Sequence, residues 1–380
     1  MKRKRVFAFV ITLVLAAGLM LASCSGGDSG GGGATNEPAS SGGSSSNSGG
    51  GAPATSDQKY DITVELNYPE PAANVLTQYF NDLTELSDGR LNFDIYYGLS
   101  LSGQEGLLDA LMSGVVQAAG FMPYNYDTMF PYSGALFNMP FLGFADMEVA
   151  SKVWREMYAT TDVMQAEYER AGLTVVAAMG NPIYNMYFKD QDVDVRVPAD
   201  LKGMTLIANV PEIQQMLVDN GAAPVECPPP DYYTNLEKGV CDGIIQHINI
   251  LTSFGVNPEL CGTSILFEQG GGGFVTSILN VVWKTDFLNS LPQDLQDIIM
   301  ERSVSLGDEM LANDAGLVAE NTKISADSGA TMIYLTEAEV QAWKDAAVAI
   351  KEASLQRYVD EGATDMFNVY DKLQETITKY

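Results

Sequence analysis

The sequence predicts an α/β protein in two lobes, each built on a mostly parallel sheet flanked by helices. Two observations carry this. Short apolar runs of strand length alternate with segments of helical periodicity along most of the chain. The folded part, from about residue 58 to 380, is some 320 residues long, more than one hydrophobic core usually supports.

The first 57 residues stand outside that fold. Met1-Lys2-Arg3-Lys4-Arg5 is a charged start, Val6 to Leu21 is an uncharged run that is apolar but for Thr12, and Leu21-Ala22-Ser23-Cys24 closes it. This is the layout of an export signal, and a run of 16 residues is short for a membrane-spanning helix. Ending on a cysteine, the segment resembles a bacterial lipobox, in which Cys24 becomes the lipid-modified N-terminus of the mature protein; an ordinary signal peptide with a chance cysteine is the alternative. Residues 25–57 are almost wholly Gly, Ser, Ala, Thr, Asn and Pro. Such a segment cannot bury enough surface to offset its chain entropy, and a coil of this length spans roughly 30 Å. It reads as a tether that holds an exported, lipid-anchored body off the outer face of the cytoplasmic membrane.

Within the body, Asp61 to Asn67 alternates as a strand does, and Ala72 to Leu86 has a helical pattern. Arg90 to Tyr97 is a second strand, and Leu107, Leu108 and Leu111 share one helical face. Leu173 to Met179, Gly203 to Ile207, Ala223 to Cys227 and Gly243 to Gln246 are further short apolar runs. The last hundred residues read as mostly helical. Ser290-Leu291-Pro292-Gln293 signals one helix start. Thr336 with Glu339 forms a capping box, with Leu335 placed to staple onto Val340. Behind it Val340, Trp343, Ala347 and Ile350 make an apolar stripe.

Charge and motif content exclude whole classes of function. Without the four basic residues of the leader, 17 basic residues face 49 acidic ones, a formal charge of −32. A surface this acidic repels phosphate backbones, so no nucleic-acid partner is expected. Cys227, Cys241 and Cys261 have no CxxC spacing; either Cys241 pairs with Cys261 or all three are buried thiols. The lone His247 has no partner for a metal site or a Ser-His-Asp arrangement and reads as a polar wall or loop residue. Within the body, residues 58–380, GxSxG, HExxH and P-loop patterns are absent. The run Gly270 to Gly273 lacks the Lys-Ser/Thr of a phosphate cradle and suits a chain crossing between lobes or a close approach to a ligand. No catalytic residue, metal or cofactor is expected. A ligand captured between two lobes by hinge closure is.

Four segments then resemble one family, the TRAP-type (tripartite ATP-independent periplasmic) transporter solute receptors, or DctP-like proteins. Asp200-Leu201-Lys202-Gly203 is similar to its "DLKG" segment, and Tyr233 to Gly243 (YTNLEKGVCDG) to its "Y-x-x-L-x-x-G-x-x-D-G" stretch. Met139-Pro140-Phe141-Leu142 resembles "PFLF", and Asn289-Ser290-Leu291-Pro292 the "sLP" helix start. The resemblance covers Tyr60 to Tyr380. It implies two lobes joined by crossover strands and a long helix, closing on one small molecule that is delivered to an ion-gradient-driven permease. The expected division is 58–182 for the first part of lobe I, 183–269 for that of lobe II, 270–310 for the return to lobe I and the start of a connecting helix, and 311–380 for lobe II helices and C-terminal helices. A monomer is expected. A receptor that presents its ligand to a membrane sensor shares every feature, and an exported two-lobed enzyme is a third reading.

The departures from the family bear on the ligand. Members that bind organic acids carry an arginine after "DLKG", in "K-I-R", where this chain has Thr205-Leu206-Ile207; a register shifted by two residues puts Asn209 there instead. A second arginine often precedes an aromatic residue, where this chain has Asn185. Isoleucine offers no donor to a carboxylate. The candidate ligand-binding residues are therefore Tyr68, Glu70, Tyr124, Asn125, Tyr184, Asn185, Ile207, Asn209, Gln246 and Phe274. This set suits a neutral polar, aromatic or amine-bearing molecule better than a carboxylate.

Overall fold

The computed structural model describes residues 57–256, 260–267 and 273–380. The leader, the lipobox Cys24 and most of the Gly270–Gly273 run lie outside the described residues.

Eleven strands form two sheets among the described residues: β1 (Tyr60–Leu66), β2 (Leu91–Tyr97), β3 (Ala118–Phe121), β4 (Leu173–Gly180), β5 (Asn185–Phe188), β6 (Thr205–Ile207), β7 (Ala223–Val225), β8 (Gly243–Gln246), β9 (Thr263–Leu266), β10 (Ile278–Lys284) and β11 (Thr331–Tyr334). The first sheet has the order β2-β1-β3-β10-β4 and the second β11-β9-β5-β8-β6-β7. Each runs parallel except for one reversed strand. In the first sheet β10 is antiparallel to both β3 and β4, and in the second β5 is antiparallel to both β8 and β9. The reversed strand is in each case the one the chain enters directly from the other sheet. A crossover into a neighbouring sheet arrives from the cleft end, so its strand runs against those wound by helical connections.

Local chemistry explains most elements. On β1, Ile62, Val64 and Leu66 are buried on one face. Glu65 is also fully buried, and its Oε1 accepts the backbone N–H groups of Leu101 at 2.8 Å and Ser102 at 2.9 Å. That carboxylate shapes the loop leading into the helix Gly103–Ser113. Met204, just before β6, accepts the N–H of Ala223, and Asp242 donates its N–H to the Thr205 carbonyl, which sets the register of the β7-β6-β8 corner.

Two long helices connect the sheets. Leu306–Asp327 lies against β4 on one side and the short helix Ile248–Ser253 on the other. Glu337–Asp360 begins with the capping box: Glu339 N–H donates to Thr336 Oγ1 at 3.3 Å, and Thr336 N–H to Glu339 Oε2 at 2.7 Å. Its first half buries Val340, Trp343, Ala347 and Ile350 with Phe188, Leu206 and Ile265 of the second sheet. Its second half buries Leu355 and Tyr358 with Trp154 and Val282 on the side of the first. The last helix, Met366–Ile377, joins that same cluster through Met366, Val369 and Leu373.

Cys241 is a buried free thiol, so the Cys241–Cys261 pairing is not formed. No described helix is long and apolar enough to cross a membrane.

Candidate ligand-binding cleft

A cleft of about 730 Å³ opens between the carboxyl ends of the two sheets. Its walls follow from the strand ends. Asn67 and Tyr68 come directly after β1, and Met122, Tyr124 and Asn125 after β3. Asn209 comes after β6, Glu226 and Cys227 after β7, and Gln246 closes β8. Tyr184 precedes the reversed strand β5, whose start lies beside its neighbours' ends. Parallel strands of an α/β sheet leave their open crevice at these ends, where side chains on different loops converge.

The two walls are bonded differently. On the second wall, Asn209 Nδ2 donates to the Cys227 carbonyl at 2.9 Å and to the Tyr232 hydroxyl at 3.0 Å, while its Oδ1 accepts the Cys227 N–H at 3.3 Å. Gln246 Nε2 donates to the same Tyr232 hydroxyl at 3.4 Å, and its Oε1 accepts the His247 N–H at 3.0 Å. On the first wall, the Tyr124 hydroxyl meets only the Met122 sulfur, at 3.2 Å, and the Tyr184 hydroxyl. Asn67 Oδ1 is buried without a partner, lying over Gly120 of β3, where a Cβ would stand 2.7 Å from it.

The floor of the cleft is the stitch between the crossovers. Asn181, after β4, donates its N–H to the Ser277 carbonyl at 2.7 Å and its Nδ2 to Ser277 Oγ at 2.9 Å. Tyr68 donates to Asn181 Oδ1 at 3.4 Å, and the Tyr184 and Ser277 hydroxyls lie 3.5 Å apart. Two cleft tyrosines thus rest on the residues that begin and end the crossovers.

Burial is the first cause of every resolved titration shift here. It raises the phenols of Tyr68, Tyr124, Tyr184 and Tyr232, and all four remain neutral donors at any physiological pH. It pushes the Cys227 thiol up to about 11, with Cys241 beside it, so this cysteine is no thiolate nucleophile. His247 is fully enclosed behind Gln246 and pushed down to about 3; its Nδ1 accepts the Ile250 N–H at 3.3 Å as a helix cap. Glu105 and Glu226 are the charged residues of the lining, which contains no lysine or arginine. Among the described residues no group of three His, Cys, Asp or Glu side chains could hold a metal ion.

Of the residues singled out from sequence, Tyr68, Tyr124, Asn125, Tyr184, Asn209 and Gln246 converge on the cleft, and four do not. Ile207 ends β6 with its side chain 1 % exposed in the core, so of the two registers weighed for the missing arginine it is Asn209 that reaches the cleft. Asn185 is buried and its Oδ1 accepts the Phe267 N–H at 2.9 Å, which makes it a brace inside the crossover. Phe274 packs in an aromatic cluster, 4.9 Å from Phe141, 5.1 Å from Phe267 and 5.7 Å from Trp343 between ring centres. Glu70 opens the 3-10 turn Glu70–Ala73 and is exposed outside the cleft. Sequence reasoning missed Asn67, Glu105, Glu226 and Tyr232. The rule that selected Asn209 and Gln246, proximity to the end of a parallel strand, also points to Asn67 and Glu226.

A two-lobed α/β body with crossed strands and an interlobe cleft is the architecture of an extracytoplasmic solute-binding protein. Residues 69–357 match the family of bacterial extracellular solute-binding proteins, family 7 (DctP), and the chain belongs to that family. A "Solute-binding protein" of Albidiferax ferrireducens is 23 % identical over 277 residues, 70 % of this chain and 76 % of its own. Among solved structures, a marine-metagenome TRAP solute-binding protein specific for aromatic acid ligands, in complex with 3-hydroxybenzoate, superposes with a TM-score of 0.75. It is 22 % identical over 85 % of this chain and 99 % of its own. A TRAP solute-binding protein from Rhodoferax ferrireducens, with copurified benzoate, gives 0.73 at 23 % identity over 84 % and 98 %. One from Desulfovibrio salexigens with bound orotic acid gives 0.71 at 16 % over 84 % and 99 %.

Proposed function

We propose that this protein is the exported receptor of a TRAP-type, ion-gradient-driven permease, tethered to the outer face of the cytoplasmic membrane through Cys24 and acting as a monomer. Its ligand is a small neutral polar, aromatic or amine-bearing organic molecule, captured by hinge closure on Tyr68, Tyr124, Asn125, Tyr184, Asn209 and Gln246 and released unchanged to the permease. The observation that carries this reading is the composition of the lining: four tyrosines and five side-chain amides, with two carboxylates and no lysine or arginine. A bound carboxylate needs charge-assisted donors, of which a guanidinium fork is the strongest. Here it would meet only neutral hydroxyls and amides, in the field of Glu105 and Glu226. Tyrosine faces and neutral donors instead suit an aromatic ring, and their negative faces tolerate an ammonium group.

Benzoate, benzyl alcohol and benzylamine share one ring and differ in the charge of its substituent, so they test the reading by thermal shift. A ligand at a hundred times its dissociation constant adds about 2.7 kcal/mol, a shift of several degrees. The alcohol or the amine is expected to stabilise more than the acid. Stabilisation by benzoate alone would show that backbone amides or an ion replace the arginine.

A further inference from the structure

We infer that Arg357 is a positioning residue for the cleft, clasping both walls at once and so setting the spacing that a ligand meets. It lies in the second half of the bridging helix Glu337–Asp360, outside the cleft lining. Its Nη1 is 3.8 Å from Asp127 Oδ2, and its Nη2 is 3.8 Å from Glu212 Oε1. Asp127 stands two residues after Asn125, the last cleft residue of the β3 loop. Glu212 stands two residues after Val210, the last cleft residue of the β6 loop. One guanidinium therefore touches the same relative position of each wall.

The guanidinium is itself held. It lies over the Tyr358 ring with 4.3 Å to the ring centre, and Nη2 donates to the Tyr358 hydroxyl at 2.6 Å. That hydroxyl in turn donates to Asp127 Oδ2 at 3.2 Å. Tyr358 is 3 % exposed and packed with the core behind the first sheet, so the Asp127 side of the clasp is anchored. The other side is asymmetric in a useful way. Glu212 is only 5 % exposed, in the first turn of the helix Pro211–Asp219, and Arg357 is the cation paired with it. A carboxylate so enclosed loses far more by losing its partner than an exposed one would. Movement of the β6 loop away from the first wall stretches that contact. The planar fork matters too, since an ammonium is a point charge that cannot span two carboxylates in one geometry.

The test is amide hydrogen exchange of the ligand-free intact chain, read at residues 122–128 and 209–213. In Arg357→Gln both segments are expected to exchange faster, by about tenfold. Glu212→Gln is expected to speed exchange at 122–128, a segment to which Glu212 is linked through Arg357, and Arg357→Lys to act in the same direction as Arg357→Gln. Faster exchange confined to one segment, or to neither, overturns the clasp. Should Arg357→Gln fail to fold, the Glu212→Gln measurement alone decides: no change at 122–128 means the walls are not coupled through Arg357.

Discussion

The two walls of the cleft use similar residue types to opposite ends. The second wall is locked before any ligand arrives: Asn209 makes three hydrogen bonds, and with Gln246 it converges on one Tyr232 hydroxyl. The first wall is bonded more loosely, with Tyr124 against a sulfur and another tyrosine, and Asn67 Oδ1 buried without a partner. A rigid wall gives shape, whereas an unsatisfied one gives hydrogen bonds a ligand can complete. Behind the walls lie two buried ionisable groups of opposite type, Glu167 on the first side and His247 on the second.

That hidden pair gives the largest expected effect. Glu167, behind the first wall, accepts the N–H groups of Tyr132 at 2.6 Å and Ser133 at 2.9 Å, yet burial still pushes its carboxyl up to about 7. In the unfolded chain it ionises near 4.5, so between these values the folded state holds the extra proton. Stability is then lost as pH rises toward 7, by about 3 kcal/mol at 1.36 kcal/mol per unit. Asp314, raised by burial to about 6, adds to the same limb. His247 acts in reverse. Buried neutral, it is pushed down to about 3, so below 6.5 the unfolded chain takes up the proton first and stability falls as pH drops. Between 4.5 and 6.5 these two slopes oppose each other, so in urea unfolding from pH 4 to 8 Glu167→Gln should make stability rise more with pH over that range, and His247→Asn, which keeps a capping acceptor, should make it fall more. If both variants tilted the profile the same way, the two sides would not be separable.

Next in size is Asn209→Ala. It strands the Cys227 N–H and carbonyl and removes one donor from Tyr232, and is expected to lower stability by about 2 kcal/mol in denaturant unfolding. A loss below about 0.5 kcal/mol would mean that water takes over these bonds and the second wall is not locked.

The contrast between walls was only partly legible in the sequence. Strands with one solvent-facing side announce themselves by alternation, as β1 and β2 do. Four-residue strands buried on both faces show no alternation, and of these β8 stood out as an apolar run while β3, β5 and β9 did not. Strand ends located Tyr68, Tyr124, Asn209 and Gln246, because the crevice follows from chain direction. Tyr232 was hidden by its setting after Pro228-Pro229-Pro230, where no periodicity exists to aim a side chain. Asn185 and Phe274 were misread for a different reason: they flank the crossovers, and the sequence does not say which face of a crossover meets the ligand. The core took both.

The smallest stability effect separates the walls most cleanly. Tyr124→Phe removes a hydroxyl whose protein contacts are the Met122 sulfur and Tyr184, and it leaves no strong donor or acceptor stranded. It is expected to change stability by less than about 0.5 kcal/mol, against about 2 for Asn209→Ala. Affinity should move the other way. For the best compound of the benzyl series, titration calorimetry is expected to show about a tenfold loss, the value of one neutral hydrogen bond completed by the ligand. If affinity is unchanged, Tyr124 contributes only its ring, and the open wall recognises shape after all.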